Sequence, residues 1–270
     1  MTLAESANSR GAAARTLELL RHIATGDREF ALKAIAEKAG LAPSTTHRLI
    51  DQWVRQDLLE RSGPKSYRMG PELFRLASLV RQKFAVNRLA RPYLESLSGQ
   101  WHETALFCLY HPSSRTATVG ESISSPHPLR YELTVHSPVS LAWGSLGRAI
   151  LAHLPAADIE AVLAQDPRGP LSGKSLPPRR ALMRELALIR ASGCAVYEDR
   201  EMNVAGASAP VLHEDARVIG CLGVIMPASR FGKAIRRRLP AAVRHSARDL
   251  SAALGAMTAS ETIGIHFTAK

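Results

Sequence analysis

Ser44, Arg48 and Arg55 recur at spacings that place them on one face of a helix, with Thr45, His47 and Gln52 beside them. Side chains of these types can read the polar edges of bases and neutralise phosphates. Lys65, in the turn Ser62-Gly63-Pro64-Lys65, adds a candidate phosphate contact. Other chemistry is weakly marked. Gly169-Pro170-Leu171-Ser172-Gly173-Lys174-Ser175 approaches a phosphate loop, but that loop needs four residues between its glycines and a preceding strand; this stretch has three and follows a helical segment. Trp143-Gly144-Ser145-Leu146-Gly147 puts Trp143 where a nucleophile elbow needs glycine. Cys108, Cys194 and Cys221 lie far apart in or beside apolar runs, which predicts buried free thiols. No cysteine pair has zinc-ligand spacing, and no two histidines stand at i, i+4. No catalytic set, metal or cofactor is therefore expected.

The elements that must position the polar face can be read from apolar spacing. Ile35, Ala36 and Ala39 form the inward side of a short helix; Gly40 permits a positive φ, and Leu41 plugs the turn. Thr46, Leu49, Ile50 and Trp53, at i, i+3, i+4 and i+7, are the buried stripe of the next helix. Pro43 suits its first turn, where the amides of Ser44 and Thr45 are free for a phosphate oxygen. An earlier helix over 15–24 carries Leu17, Leu20, Ile23 and Ala24 on one side. Residues 58–61 and 66–69 are strand-like and flank the turn that holds Lys65, giving a wing behind the second helix. The turn alone fits an ordinary helical hairpin. The hairpin that follows makes it a winged helix-turn-helix.

Beyond the wing, residues 71–87 read as a helix with Leu73, Phe74, Leu76, Ala77 and Val80 on its apolar side, a natural linker and dimer handle. A further helical run follows over 89–97. Strands are expected over 104–110, 115–121 and 129–135, helices over 143–153, 156–165 and 178–191, strands over 194–197, 205–212 and 218–226, and a closing helix from Lys233 to Met257. This order predicts an α+β domain with an antiparallel sheet. The 270 residues, 46% hydrophobic, suffice for one small and one ordinary domain. The net charge is +11, yet residues 1–75 hold 12 Lys/Arg against 9 Asp/Glu, so the charge is not concentrated where a polyanion would sit. The run Arg236-Arg237-Arg238 reads as a solvated helix face. No apolar run has membrane-spanning length, and the first residues lack a signal-peptide layout, so a cytoplasmic protein with a flexible tail over 1–9 is expected.

Taken in order, these features resemble the IclR family of bacterial transcription regulators over nearly the whole chain. The stretch GLAPSTTHRLIDQWVRQDLLER followed by YRMGPEL resembles the family's recognition helix and wing. Leu146-Gly147-Arg148-Ala149 resembles its leucine-glycine-lysine-alanine signature, and Ser208-Ala209-Pro210-Val211 its Ala-Ala-Pro-Val strand. The resemblance implies a winged helix-turn-helix at 10–70, a linker helix at 71–87 that pairs subunits, and a GAF-like effector domain at 88–270. The effector is implied to be a small organic acid, held by Trp143, Ser145, Leu146 and Gly147 at a helix start, Tyr197 and Glu198 on a loop, and Gly223 and Ile225 on the last strand. This chain departs from the family at Ala142, at Trp143 where an alanine is common, and at Gly206 where a cysteine is. Gly223 and Ile225 replace small polar residues, which tilts the expectation toward an aromatic or aliphatic-tailed acid.

The implied partners are double-stranded DNA with an approximately palindromic operator, a small-acid effector, and a second copy of the chain in a homodimer or a dimer of dimers, with no membrane partner. Two other classes stay open: an enzyme on a GAF-like fold with an appended helical domain, and a protein-binding helical adaptor. The sign of regulation, repression or activation, is open as well.

Overall fold

The computed structural model describes residues 12–83, 85–165 and 168–256. The tail expected over 1–9 lies outside the described residues, as do the Val80 side chain and Met257. The chain divides into two compact units after Lys83.

The first unit runs α1 (Ala12–Thr25), β1 (Glu29–Ala31), α2 (Leu32–Ala39), α3 (Pro43–Val54), β2 (Leu59–Arg61), β3 (Ser66–Met69) and α4 (Pro71–Lys83). Gly40 takes φ +61°, its N–H donates to Glu37 O at 3.2 Å, and Leu41 N–H donates to Ala36 O at 3.0 Å. These two bonds close α2 in a Schellman motif, and the left-handed residue turns the chain sharply into α3. Leu19, Ile23, Ile35, Ile50, Leu59 and Tyr67 form the core, with Leu41, Leu49 and Trp53 packed against it. Two sequence expectations are corrected here. Trp53 is only half-buried, so Ile50, at 0% exposure, is the centre of the α3 stripe. On α1 the i, i+4 pair Leu19 and Ile23 faces the core, while Leu17 is 57% exposed and Ala24 is also exposed.

A third strand was not legible in the sequence. The three residues of β1 pair antiparallel with β3, giving the order β1-β3-β2, and Phe30 stacks on Tyr67 with ring centres 6.1 Å apart. So short a strand has no alternation to detect. On α4, Phe74 and Leu76 are 77% and 40% exposed, so the apolar side expected of the linker is uncovered in the single chain.

The second unit contains α5 (Ala85–Trp101), β4 (Thr104–His111), β5 (Thr116–Ile123), β6 (Pro138–Val139), α6 (Gly144–Leu151), α7 (Ala156–Gln165), α8 (Arg179–Ser192), β7 (Ala195–Asp199), β8 (Val204–Leu212), β9 (Val218–Pro227) and α9 (Lys233–Gly255). Its six strands form one antiparallel sheet in the order β6-β5-β4-β9-β8-β7. Strand alternation sends Ala105, Phe107, Ala207, Val224 and Met226 to one face, where α5 and α9 cover them. Leu106, Cys108, Cys221 and Ile225 go to the other, beneath α6, α7 and α8. Gly220 sits where any Cβ would meet Cys108 O at 1.9 Å, so glycine there lets β4 and β9 close.

The strand expected over 129–135 does not form. Those residues are a loop, and the edge strand is β6 instead. Tethers explain the difference: Thr104 Oγ1 donates to Tyr131 O at 2.8 Å, Tyr131 Oη donates to Met202 O at 2.8 Å, and His136 takes φ +72°. Side-chain partners claim the segment before a ladder can.

Candidate functional site

In the first unit, α3 begins with Pro43 at its first turn and Ala42 as a cap without a side-chain bond. The amides of Ser44 and Thr45 therefore face outward from the helix start with no intrahelical acceptor. Ser44, His47, Arg48, Gln52 and Arg55 are exposed and Thr45 is half-buried, opposite the stripe of Thr46, Leu49 and Ile50. Arg55 is the C-terminal capping residue of α3, one position past its last turn. Among the described residues neither Arg48 nor Arg55 pairs with a carboxylate, which leaves both charges available to phosphate or guanine. Lys65 is exposed in the β2–β3 turn, which is fastened by Ser62 N–H to Ser66 O at 3.0 Å.

Asp51 is a feature the sequence reading missed. Its carboxylate lies 2.9 Å from His47 Nδ1 and 3.1 Å from Arg61 on β2, so it holds one member of the polar face and joins α3 to the wing. The signal was present as the i, i+4 spacing of His47 and Asp51.

In the second unit, the sheet face beneath α6 brings together residues far apart in sequence. One cross-strand row runs Thr104, Ile225, Gly206, Tyr197; the next runs Leu106, Gly223, Ser208, Ala195. Ser208 Oγ donates to Ser145 Oγ at 2.9 Å, a buried bond across 63 residues of chain. A Cβ at Gly206 would meet Ser145 Oγ at 3.1 Å, and one at Gly223 would meet Ser208 Oγ at 2.2 Å. The glycines thus make room for the two serine hydroxyls on a largely apolar face. Trp143 caps the start of α6 in extended conformation, followed by Gly144 at φ +74°. Leu146 and Ile225 are each 7% exposed and pack in the same cluster. Trp143 and Tyr197 are half-buried. Burial, with Asp199 nearby, raises the pKa of the Tyr197 hydroxyl.

One expected site residue, Glu198, is corrected, and Gly147 proves to be tightly packed. Glu198 alternates with Tyr197 and therefore lies on the opposite face of the sheet, where it pairs with Arg236 of α9 and with Arg200 at 2.8 Å. Gly147 packs against the backbone of the preceding segment, since a Cβ there would meet Ser140 O at 1.8 Å. It is needed for the approach of α6 to residues 140–141.

Arg148 was quoted only as part of a motif, yet it is 6% exposed in a helix otherwise built of small and apolar residues. Its Nε donates to Ala142 O at 3.3 Å, and Nη1 bonds Glu185 of α8. Its guanidinium carbon lies 6.0 Å from the Trp143 ring centre and 5.8 Å from that of Tyr197. A lone arginine inside Leu146-Gly147-Arg148-Ala149-Ile150-Leu151 was the signal that could have found it. The three thiols are buried, Cys108 opposite Cys221 in register, and burial pushes Cys194 up to about 11 and Cys221 well above the ordinary thiol range. Cys194 and Cys221 therefore stay protonated, and all three side chains pack as small buried groups.

A winged helix-turn-helix joined to an α/β unit with a curled antiparallel sheet is the architecture of a two-part transcription regulator. Residues 12–63 match the IclR helix-turn-helix domain, and residues 79–252 match the bacterial transcriptional regulator IclR C-terminal domain. The chain belongs to the IclR family and is a DNA-binding transcriptional regulator. It is 31% identical over 219 residues to the HTH-type regulator Rv1719 of Mycobacterium tuberculosis, covering 81% of this chain and 83% of that one. It is 28% identical over 221 residues to the HTH-type regulator TtgV of Pseudomonas putida, covering 82% and 83%. The fold is shared with an IclR homologue from Microbacterium hydrocarbonoxydans complexed with 4-hydroxybenzoate, at a TM-score of 0.75 and 22% identity over 92% of this chain and 100% of that one. No helix among the described residues is long and apolar enough to cross a membrane.

Proposed function

We propose that this chain regulates catabolic genes in response to a small organic acid, an aromatic acid above all, with residues 10–70 binding DNA, the helix over 71–87 linking, and 88–270 sensing. In this reading Ser44, Thr45, His47, Arg48, Gln52 and Arg55 face the major groove, and Lys65 reaches a phosphate from the wing. Two copies form a homodimer that presents two α3 helices to an approximately palindromic operator, and two such dimers can pair further. The uncovered apolar side of α4 supports the pairing. Effector binding acts through its preference for one arrangement of the linker helices.

The observation that carries the sensing reading is the Ser208–Ser145 bond, a polar pair in an apolar sheet face, bordered by the half-buried rings of Trp143 and Tyr197. A few convergent polar groups in an apolar, aromatic setting are the usual make-up of a small-molecule site. The 4-hydroxybenzoate held by the like-folded homologue is an acid of this chemistry. Recovery of genomic fragments by the purified full chain, followed by titration with benzoate and 4-hydroxybenzoate, tests the proposal. Enrichment of a small set of fragments is expected, together with a change in their affinity of roughly 5–150-fold. Recovery no different from random genomic DNA would overturn it.

A further inference from the structure

We infer that the acid's carboxylate is received by Arg148, in competition with Glu185, and by the indole N–H of Trp143. This rests on the reading of the second unit as an acid sensor. A guanidinium buried to 6% exposure must be compensated, and its donors here are only partly used: Nε on Ala142 O and Nη1 on Glu185, out of five N–H groups. The rings of Trp143 and Tyr197 lie on it at 6.0 and 5.8 Å. Trp143 supplies an independent sign of a missing partner. Its Nε1 is buried and has no hydrogen-bond acceptor among the described residues. An unmade buried hydrogen bond carries the full desolvation penalty of the donor, so an arriving acceptor is strongly favoured.

A carboxylate supplies what both groups lack, with one oxygen for the guanidinium fork and one for the indole. Glu185 is the group it replaces. Glu185 belongs to α8 and its side chain is already 34% exposed, so once displaced it turns to water and regains full hydration. The exchange of one carboxylate for another leaves the guanidinium neutralised throughout, and an aromatic body on the ligand adds contact with the two rings.

Benzoate binding to the full chain, measured by calorimetry with benzamide as the uncharged isostere, tests this assignment. The parent should bind benzoate more tightly than benzamide, and Arg148→Met should weaken benzoate by more than about tenfold. Trp143→Phe, which keeps the ring and removes the donor, should weaken it by about 3–10-fold. Glu185→Gln should tighten it by about 3–10-fold because the competing charge is gone. That sign separates competition from mere support of Arg148, which would weaken binding instead. If Arg148→Met fails to fold, the other two variants carry the test. Parent-like affinity in both of them, or equal binding of benzamide, would overturn the inference while leaving the sensor reading intact. A parent that binds neither benzoate, 4-hydroxybenzoate nor phenylacetate would overturn that reading, and this inference with it.

Discussion

Ser208 on β8 and Ser145 on α6 are joined by a 2.9 Å hydrogen bond, at 0% and 4% exposure respectively. The bond ties the first turn of α6 to the middle of the sheet. Ser208→Ala removes the donor and leaves Ser145 Oγ buried without it, which should cost about 1–3 kcal/mol of stability. Denaturant unfolding of parent and variant measures this. An unchanged midpoint would mean that the hydroxyls are not coupled.

The outer face of α3 and the wing tip should respond differently to substitution. Arg48→Ala removes a candidate bidentate contact to guanine and should cost about 1–3 kcal/mol of operator binding, relaxing selectivity at one base position per half-site. Lys65→Ala should weaken binding to all sequences alike and reduce the salt slope by about one unit. Salt-titrated binding of both variants is the check, and parent-like affinity in both would remove this face from the DNA interface.

Gly147→Val should destabilise the second unit, because its Cβ would fall 1.8 Å from Ser140 O and only backbone movement relieves that overlap. A loss of about 1–3 kcal/mol or more in unfolding is expected, with any loss of acid response following from it. A variant of parent stability that had lost only its acid response would instead mean that Gly147 acts at the pocket alone.

Acid should weaken the fold through His153 and His111. Burial lowers the pKa of both imidazoles, so the folded state favours the neutral ring. Above the unfolded value both states are neutral and stability is full; as pH falls through that value toward the folded one, the unfolded chain takes up protons first and stability is lost. Unfolding midpoints taken from about pH 7.5 to about pH 5 should fall, and His153→Gln should flatten the decline. A midpoint rising with acid in the parent would contradict the sign.

The winged helix was legible because its determinants are local. Gly40 and Leu41 close a turn within one hydrogen-bonded motif, and Thr46, Leu49 and Ile50 repeat at helical spacing. The sheet face beneath α6 was legible only in part. Family resemblance points to Ser145 and Tyr197, which do border this face, but the partnership of Ser208 with Ser145 depends on register across β8 and β9, which no local pattern encodes. Glu198 was misplaced for the same reason: which way one residue of a five-residue edge strand points is decided by pairing. The loop over 129–135 was mistaken for a strand because its apolar residues alternate, while the tethers from Thr104 and to Met202 are non-local.

The central claim, that this chain couples occupancy of an acid site in its second unit to DNA binding by its first, is tested most directly by one titration. Operator affinity of the full chain, on a fragment recovered from genomic DNA, is measured with and without saturating benzoate or 4-hydroxybenzoate. The account predicts a change of roughly 5–150-fold in one direction in the parent. Identical affinity with and without an acid shown to bind would contradict it.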